Sequence, residues 1–413
     1  MRHMRTALEI VFWASAIPIA WTQLGYALVI AGLARLLAPA PQAEGPTRER
    51  PKPKQDPTHV EDASLTIPTA RGEQKLPRVS LIIAAHDEQA VIGAKVANAL
   101  ALDYPRELLQ VIVACDGCTD ATAQQARDAD ADLVLELTRA GKIAAQDAAV
   151  ARASGEIVAF SDANALWQAN ALGELVGAFA DPRVGYACGR VHFTRDPPAS
   201  AQATNQEGLY WRYEMALRAR ESRLRSITAG NGAIYATRRD SYIVVDPIMG
   251  HDLSFPFNMV KRGWRAVDVP SAHATEKMVP SIEGEWRRKR RMMSHTWPIV
   301  VRGGMLSPRG YTPGYALMML SHRVLRYLTP FLHLLLLAAS LALVAVGAGT
   351  VYVVALLMQV ALAAAAMLAP VFPRRVLLIA RYYVLTAASP AAGLWDWLRH
   401  GTAASWEAAE GTR

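Results

Sequence analysis

Three short apolar runs of this chain end in aspartate: Gln110-Val-Ile-Val-Ala-Cys-Asp116, Ile157-Val-Ala-Phe-Ser-Asp162 with Asn164 two residues on, and Gly250-His251-Asp252 opening a helix-compatible stretch. Carboxylates can hold a hard cation or take up a proton. A dense basic run, Arg288-Lys-Arg-Arg291, and a Gly141-Lys142 step can meet phosphate oxygens through guanidinium, ammonium and helix N-terminal N-H groups. A single aspartate after a strand is more often a turn former or helix cap than a catalyst, so the order and context of the set decide the reading.

These residues need elements to hold them. From Arg78 the chain alternates β-rich runs (Val79 to Ala85, Gln110 to Ala114, Leu133 to Leu137, Glu156 to Phe160) with helix-compatible segments of about a dozen residues. That alternation predicts an α/β fold with a largely parallel sheet covered on both faces. Ligands then bind beyond the carboxyl ends of the strands, where the aspartates stand.

The remainder of the 413 residues is unusually apolar, 52% hydrophobic against 19% charged. Residues 1–37 contain an almost uncharged stretch from Ile10 to Leu37, long enough to span a bilayer and too long for a signal-peptide core. Residues 38–76 are rich in Pro and charge and read as a tether. After the catalytic-type region (77–300) comes an amphipathic interface segment, 301–326. Two or three transmembrane helices follow within 327–397, of which the last carries Arg381 and Pro390, and then a tail, 398–413. The positive cluster Arg35, Arg48, Arg50, Lys52 and Lys54 puts the α/β domain in the cytosol. A net charge of +8 would suit nucleic acid, but the basic residues gather beside membrane segments and no groove-reading motif accompanies them, so no nucleic-acid role is expected. Cys115 and Cys118 have the spacing of a redox or zinc pair. No second Cys or His pair stands at ligand spacing, and a reducing compartment is the plainer inference.

Over Val79 to Trp297 the chain resembles the family 2 glycosyltransferases of GT-A fold. The resemblance rests on Val79-Ser-Leu-Ile-Ile-Ala-Ala-His-Asp-Glu88, Asp116-Gly-Cys-Thr-Asp120, Arg139-Ala-Gly-Lys142, Ser161-Asp162-Ala-Asn164 in place of D-x-D, Gly230-Asn231-Gly232, His251-Asp252, and Arg288 to Met292 in place of Q-x-x-R-W. It implies a membrane-bound, inverting transferase of the inner membrane that uses a nucleotide-diphospho-sugar, with a UDP-sugar expected, and Mg²⁺ or Mn²⁺. Asp162, with Asn164, would hold the metal, and Asp252 would act as general base. Arg291, with Arg288, would meet the departing diphosphate, although a headgroup anchor is an open alternative for this helix. Ala85, Asp87, Glu88, Asp116, Lys142, Asp162 and Asn164 would line the donor site, with helix capping open for Asp87 and Glu88. Gly230, Asn231, Gly232 and Trp297 would face the acceptor, an interfacial position being open for Trp297. Met292 stands where polymerising members have tryptophan, which counts against chain extension. The acceptor would be a saccharide or a lipid-linked molecule held near the bilayer. Polyprenyl phosphate is an alternative acceptor, and a degenerate nucleotide-binding scaffold is the non-enzymatic alternative.

Overall fold

The computed structural model describes residues 2–37, 66–69, 72–194, 204–277 and 282–404. Most of the expected tether therefore lies outside the described residues. Within it, Thr66–Thr69 and Gly72–Lys75 pair as an antiparallel hairpin.

Eight strands form one mixed sheet: β1 (Val79–Ala85), β2 (Leu109–Asp116), β3 (Leu133–Leu137), β4 (Ile157–Asp162), β5 (Leu166–Trp167), β6 (Val184–Thr194), β7 (Ile234–Arg238) and β8 (Arg265–Lys277). Their order is β3-β2-β1-β4-β7-β6-β8-β5. The first four are parallel, β7 runs antiparallel between β4 and β6, and β8 lies parallel to β6.

Strand β1 shows why these runs are unbroken in hydrophobicity. Leu81, Ile83 and Ala85 enter one core and Ile82 the other, so neither face can be polar. Helices α2 (Ile92–Leu100), α3 (Thr122–Asp128) and α5 (Ala171–Gly177) cover the first face. Helices α4 (Lys142–Val150) and α7 (His251–Lys261) cover the second.

Among the described residues, four helices are long and apolar enough to cross a membrane: α1 (Arg2–Leu36), α9 (Pro313–Ala345), α10 (Thr350–Leu368) and α11 (Arg375–His400). The expected interface segment is not a separate element from residue 313 onward, because Pro313 begins α9 and Thr312 Oγ1 accepts from Tyr315 N-H to cap it. Helices α1 and α9 pack together, with Thr22 donating to the Ser321 carbonyl, and Phe12 of α1 stands edge-on to Tyr352 of α10. Arg5 reaches the Ala348 carbonyl at the far end of this pair. At the near end, Tyr26 of α1, His322 of α9 and Glu221 of α6 (Thr204–Leu224) share hydrogen bonds of 2.7 and 2.6 Å. This buried polar joint ties the apolar helices to the sheet domain.

Helix α11 behaves differently from α9 and α10. It is held to α8 (Ile282–Val301) by Arg290 and Asp396 at 2.6 Å and by Arg381 and Glu283 at 3.2 Å. Gly393 abuts the Met293 backbone, where a Cβ would not fit. The two features that set this segment apart in the sequence thus have domain partners: Arg381 has its glutamate, and the Pro390 carbonyl receives the Trp297 indole N-H at 2.8 Å.

Candidate active site

The apolar strands end where the acidic residues begin, so the carboxyl edge of β1, β2 and β4 gathers them. At the tip of β2, Asp116 is 1% exposed, and its carboxylate accepts from Ala140 N-H at 2.6 Å and Gly141 N-H at 3.0 Å. These bonds fix the loop that opens α4. Gly141 has φ of 101° there, and a Cβ would collide with the Ala404 carbonyl. Asp87 (φ 51°) accepts from Thr119 N-H at 2.7 Å, and Glu88 N-H donates to Thr122 Oγ1 at 2.8 Å. The two residues join the β1 and β2 tips. The Ala85 carbonyl accepts from the Cys118 thiol at 3.5 Å.

Lys142, the first residue of α4, ion-pairs with Asp162 at the tip of β4. Burial works against its charge, but Asp162, Asp252 and Glu276 outweigh that and raise its pKa. Gly232 lies between the two sides of the cleft: a Cβ there would stand 3.8 Å from Lys142 Nζ and 3.9 Å from Asp252 Cβ. Asp162, Lys142, Gly232 and Asp252 therefore face one space. Asn164 stands in the turn after Asp162, half-buried.

Asp252 occupies the first turn of α7, and its carbonyl accepts from Gly230 N-H at 2.6 Å. Its neighbour His251 points the other way, stacking on Phe255 and meeting Tyr235 OH at 2.7 Å. Burial holds His251 well below its ordinary pKa. Asn231 Oδ1 accepts from Ala233 N-H at 2.9 Å, so this side chain shapes the turn that carries the glycines. Gly230 has no room for a Cβ against Tyr186.

The basic helix divides its residues. Arg288 grips Glu285 with two hydrogen bonds, at 2.7 and 3.0 Å, and acts electrostatically on Glu276. Arg290 is committed to α11, whereas Arg291 is exposed near the same level. Trp297 of α8 is buried, packed in one core with Met319 and Tyr327 of α9, and its indole N-H is on the Pro390 carbonyl of α11.

Two residues absent from the sequence reading complete the cleft. Glu276 of β8 has Oε1 buried with no hydrogen-bond partner among the described residues. Burial, and then Asp162, raises its pKa against the opposing pull of Lys142, Arg288 and Lys95. Lys95 of α2 is fully buried and donates to the Ala165 carbonyl at 2.6 Å, bracing the turn after Asp162. Burial lowers its pKa to about 7. A charged residue inside a pattern that is otherwise core, as Lys95 is between Ile92 and Val96, was the available signal. Glu276 offered none, because its neighbours in space come from β4 and α4.

This architecture is the GT-A glycosyltransferase fold. The mannosyltransferase PcManGT from Pyrobaculum calidifontis, solved with GDP-Man and Mn²⁺, superposes with a TM-score of 0.62 at 24% identity, covering 93% of this chain and 99% of that one. Residues 77–294 match the family described as "Glycosyltransferase like family 2", more than half of the sequence, and the chain belongs to that family. Two curated relatives are beta-monoglucosyldiacylglycerol synthases. The one from Synechocystis is 34% identical over 116 residues (26% of this chain, 24% of that protein), and the one from Nostoc is 33% identical over 117 (27% and 25%). The chain thus spans about a quarter of the length of these relatives.

Proposed function

We propose that this protein is a membrane-bound, divalent-cation-dependent, inverting glycosyltransferase that moves a sugar from a nucleotide diphosphate, UDP in the first instance, to a lipid-linked or saccharide acceptor at the inner face of a cell membrane. The observation that carries the reading is the shared space of Asp162, Lys142 and Asp252 around Gly232. A sugar nucleotide bound there would place its diphosphate beside Lys142 and its anomeric carbon toward Asp252.

The residues at Asp162 fit a hard cation. Asp162 and Asn164 offer oxygen donors, the orphaned Oε1 of Glu276 adds negative charge nearby, and Lys142, which pairs with Asp162 in the structure, would turn to the diphosphate when a cation takes its place. Bound at Asp162 and Asn164, Mg²⁺ or Mn²⁺ would neutralise charge on the departing diphosphate. Lys142 supplies a fixed positive charge to the same leaving group, and Arg288, oriented by Glu285, faces it from α8. Asp252, opposite them, takes the proton of the acceptor hydroxyl, and attack from that side inverts the anomeric centre.

A lipid acceptor is the favoured form of the reading. Leu253, next to Asp252, packs in one core with Tyr315, Met319 and Tyr327 of α9, so the proposed base stands where the sheet domain meets an apolar helix. The two relatives, both beta-monoglucosyldiacylglycerol synthases, point the same way. The packing of α11 bears on topology. Thr402 donates to the Ser294 carbonyl at 2.9 Å and His295 meets the Ala403 carbonyl at 3.2 Å, so the end of α11 lies on the same side as the catalytic domain. With α9 and α10 read as two crossings, these contacts favour α11 lying along the interface over a third crossing.

Labelled UDP-sugars incubated with membranes and Mn²⁺ test the reading. Transfer of label into the organic phase, abolished by Asp252→Asn, is the expected result. Label that enters no product with any nucleotide sugar tried, while the protein is shown to be folded, would refute it.

A further inference from the structure

The Cys115-x-x-Cys118 spacing found no partner in the sequence, and the chemistry proposed above leaves it unused. The fold gives the two different surroundings: Cys115 packs into the core from the end of β2, whereas Cys118 sits half-buried in the following turn, its sulfur within hydrogen-bond reach of the Cys115 thiol and of the Ala85 carbonyl at the tip of β1. There it meets His86 and Asp87. One ligand atom from each of the three residues lies within 4.8 Å of the others.

Hydrogen bonds aim these donors. His86 Nδ1 lies 2.7 Å from the Asp116 carbonyl, which accepts an N-H and so fixes the proton on Nδ1. The other ring nitrogen, Nε2, faces Asp87 Oδ2 at 3.6 Å. Asp87 Oδ1 is held by Thr119 N-H at 2.7 Å, which turns Oδ2 toward the histidine. Metal-bound imidazole and carboxylate are oriented by this kind of outer hydrogen bond. An imidazole, a thiol and a carboxylate make a borderline-soft set that selects Zn²⁺ or its analogues over Mg²⁺. Three protein ligands leave a fourth position open.

We propose that His86, Asp87 and Cys118 bind one thiophilic divalent cation, of which Zn²⁺ is the type, separate from the cation at Asp162. Binding releases the Cys118 thiol proton to solvent as the sulfur–metal bond forms, with no change of oxidation state. The site shares the β1 and β2 tips with Asp116. On the donor reading above, on which this consequence alone rests, an occupied site blocks the part of the donor site lined by Asp87 and Asp116, so Zn²⁺ antagonises the donor while Mn²⁺ supports it.

Co²⁺ added to the full-length protein in detergent tests the site without any catalytic assay. The expected result is a thiolate-to-cobalt charge-transfer absorbance that saturates at one equivalent. It disappears in Cys118→Ser, persists in Cys115→Ala, and requires about 10- to 100-fold more metal in His86→Asn. No charge-transfer band in the wild type, or an undiminished band in Cys118→Ser, overturns the proposal. A competition arm measures UDP binding in Mn²⁺ with and without Zn²⁺. Zn²⁺ should weaken UDP binding at least tenfold in the wild type and leave Cys118→Ser unaffected. A cobalt band with no such competition keeps the metal site and overturns its position at the donor.

Discussion

The tip of β2 and the cleft between β4 and β8 treat their carboxylates in opposite ways. Asp116 is buried with its carboxylate held by two N-H groups of the α4 loop, a closed arrangement in which backbone hydrogen bonds offset the cost of burial. Asp162 and Glu276 share a small volume with Lys142, Lys95 and Arg288, and one glutamate oxygen is left without a partner. Burying two carboxylates together is unfavourable unless a cation joins them. The closed region builds a loop, and the unsatisfied one has capacity left for a ligand.

The comparison fails most visibly if chemistry does not depend on the open side. Asp252→Asn should lower kcat by roughly 10²- to 10⁴-fold, the usual contribution of a general base, with donor affinity nearly unchanged. A rate within a fewfold of the wild type would remove Asp252 from the mechanism. Asp162→Ala should next erase stabilisation by divalent cations. At a cation concentration near 100 times Kd, the wild type gains about 2.7 kcal/mol. A thermal shift with Mn²⁺ that survives the substitution would place the cation elsewhere.

How much of this could be read in advance follows from the same contrast. Asp116, Asp162 and Asp252 announce themselves because strands stop at them, and a strand end is a local feature of sequence. The sheet order around β1 to β4 follows from unbroken apolar runs in the same way. Glu276 was invisible because β8 reaches the cleft only by pairing beside β6 and β5, which no spacing encodes. The burial of Trp297 was hidden for the converse reason. An aromatic next to a basic helix suits a membrane interface, and only the packing of α11 shows it to be buried. His86 and Cys118, 32 residues apart, meet because β1 and β2 pair in register, with Ala85 opposite Cys115.

The closed side has its own test. Asp116→Asn leaves one acceptor oxygen for the Ala140 and Gly141 N-H groups, but it removes the charge and turns an amide N-H toward Gly141 N-H in place of the second oxygen. The loss of charge-assisted bonds to a buried backbone should cost about 1.5–3 kcal/mol. Urea unfolding monitored on the soluble domain face of the full-length protein in detergent reads this directly. Stability equal to the wild type would mean that the α4 loop is held by its other contacts, including the Gly141 approach to Ala404, and the contrast would lose its first term.

The smallest effect sharpens the second term. Burial and the nearby Asp162 raise the pKa of Glu276 above its unfolded value. Between those two values the folded chain holds a proton that the unfolded chain has released, so Glu276 makes stability fall as pH rises from the ordinary glutamate range toward neutrality. Glu276→Gln cannot ionise and should remove that slope. Without divalent cation the variant should be more stable than the wild type near pH 7 and equal to it near pH 4. Mn²⁺ should narrow the gap, since a cation at Asp162 relieves the same repulsion. Parallel stability profiles for the two proteins between pH 4 and 7 would show that Glu276 is already compensated, and the cleft would then be as closed as the tip of β2.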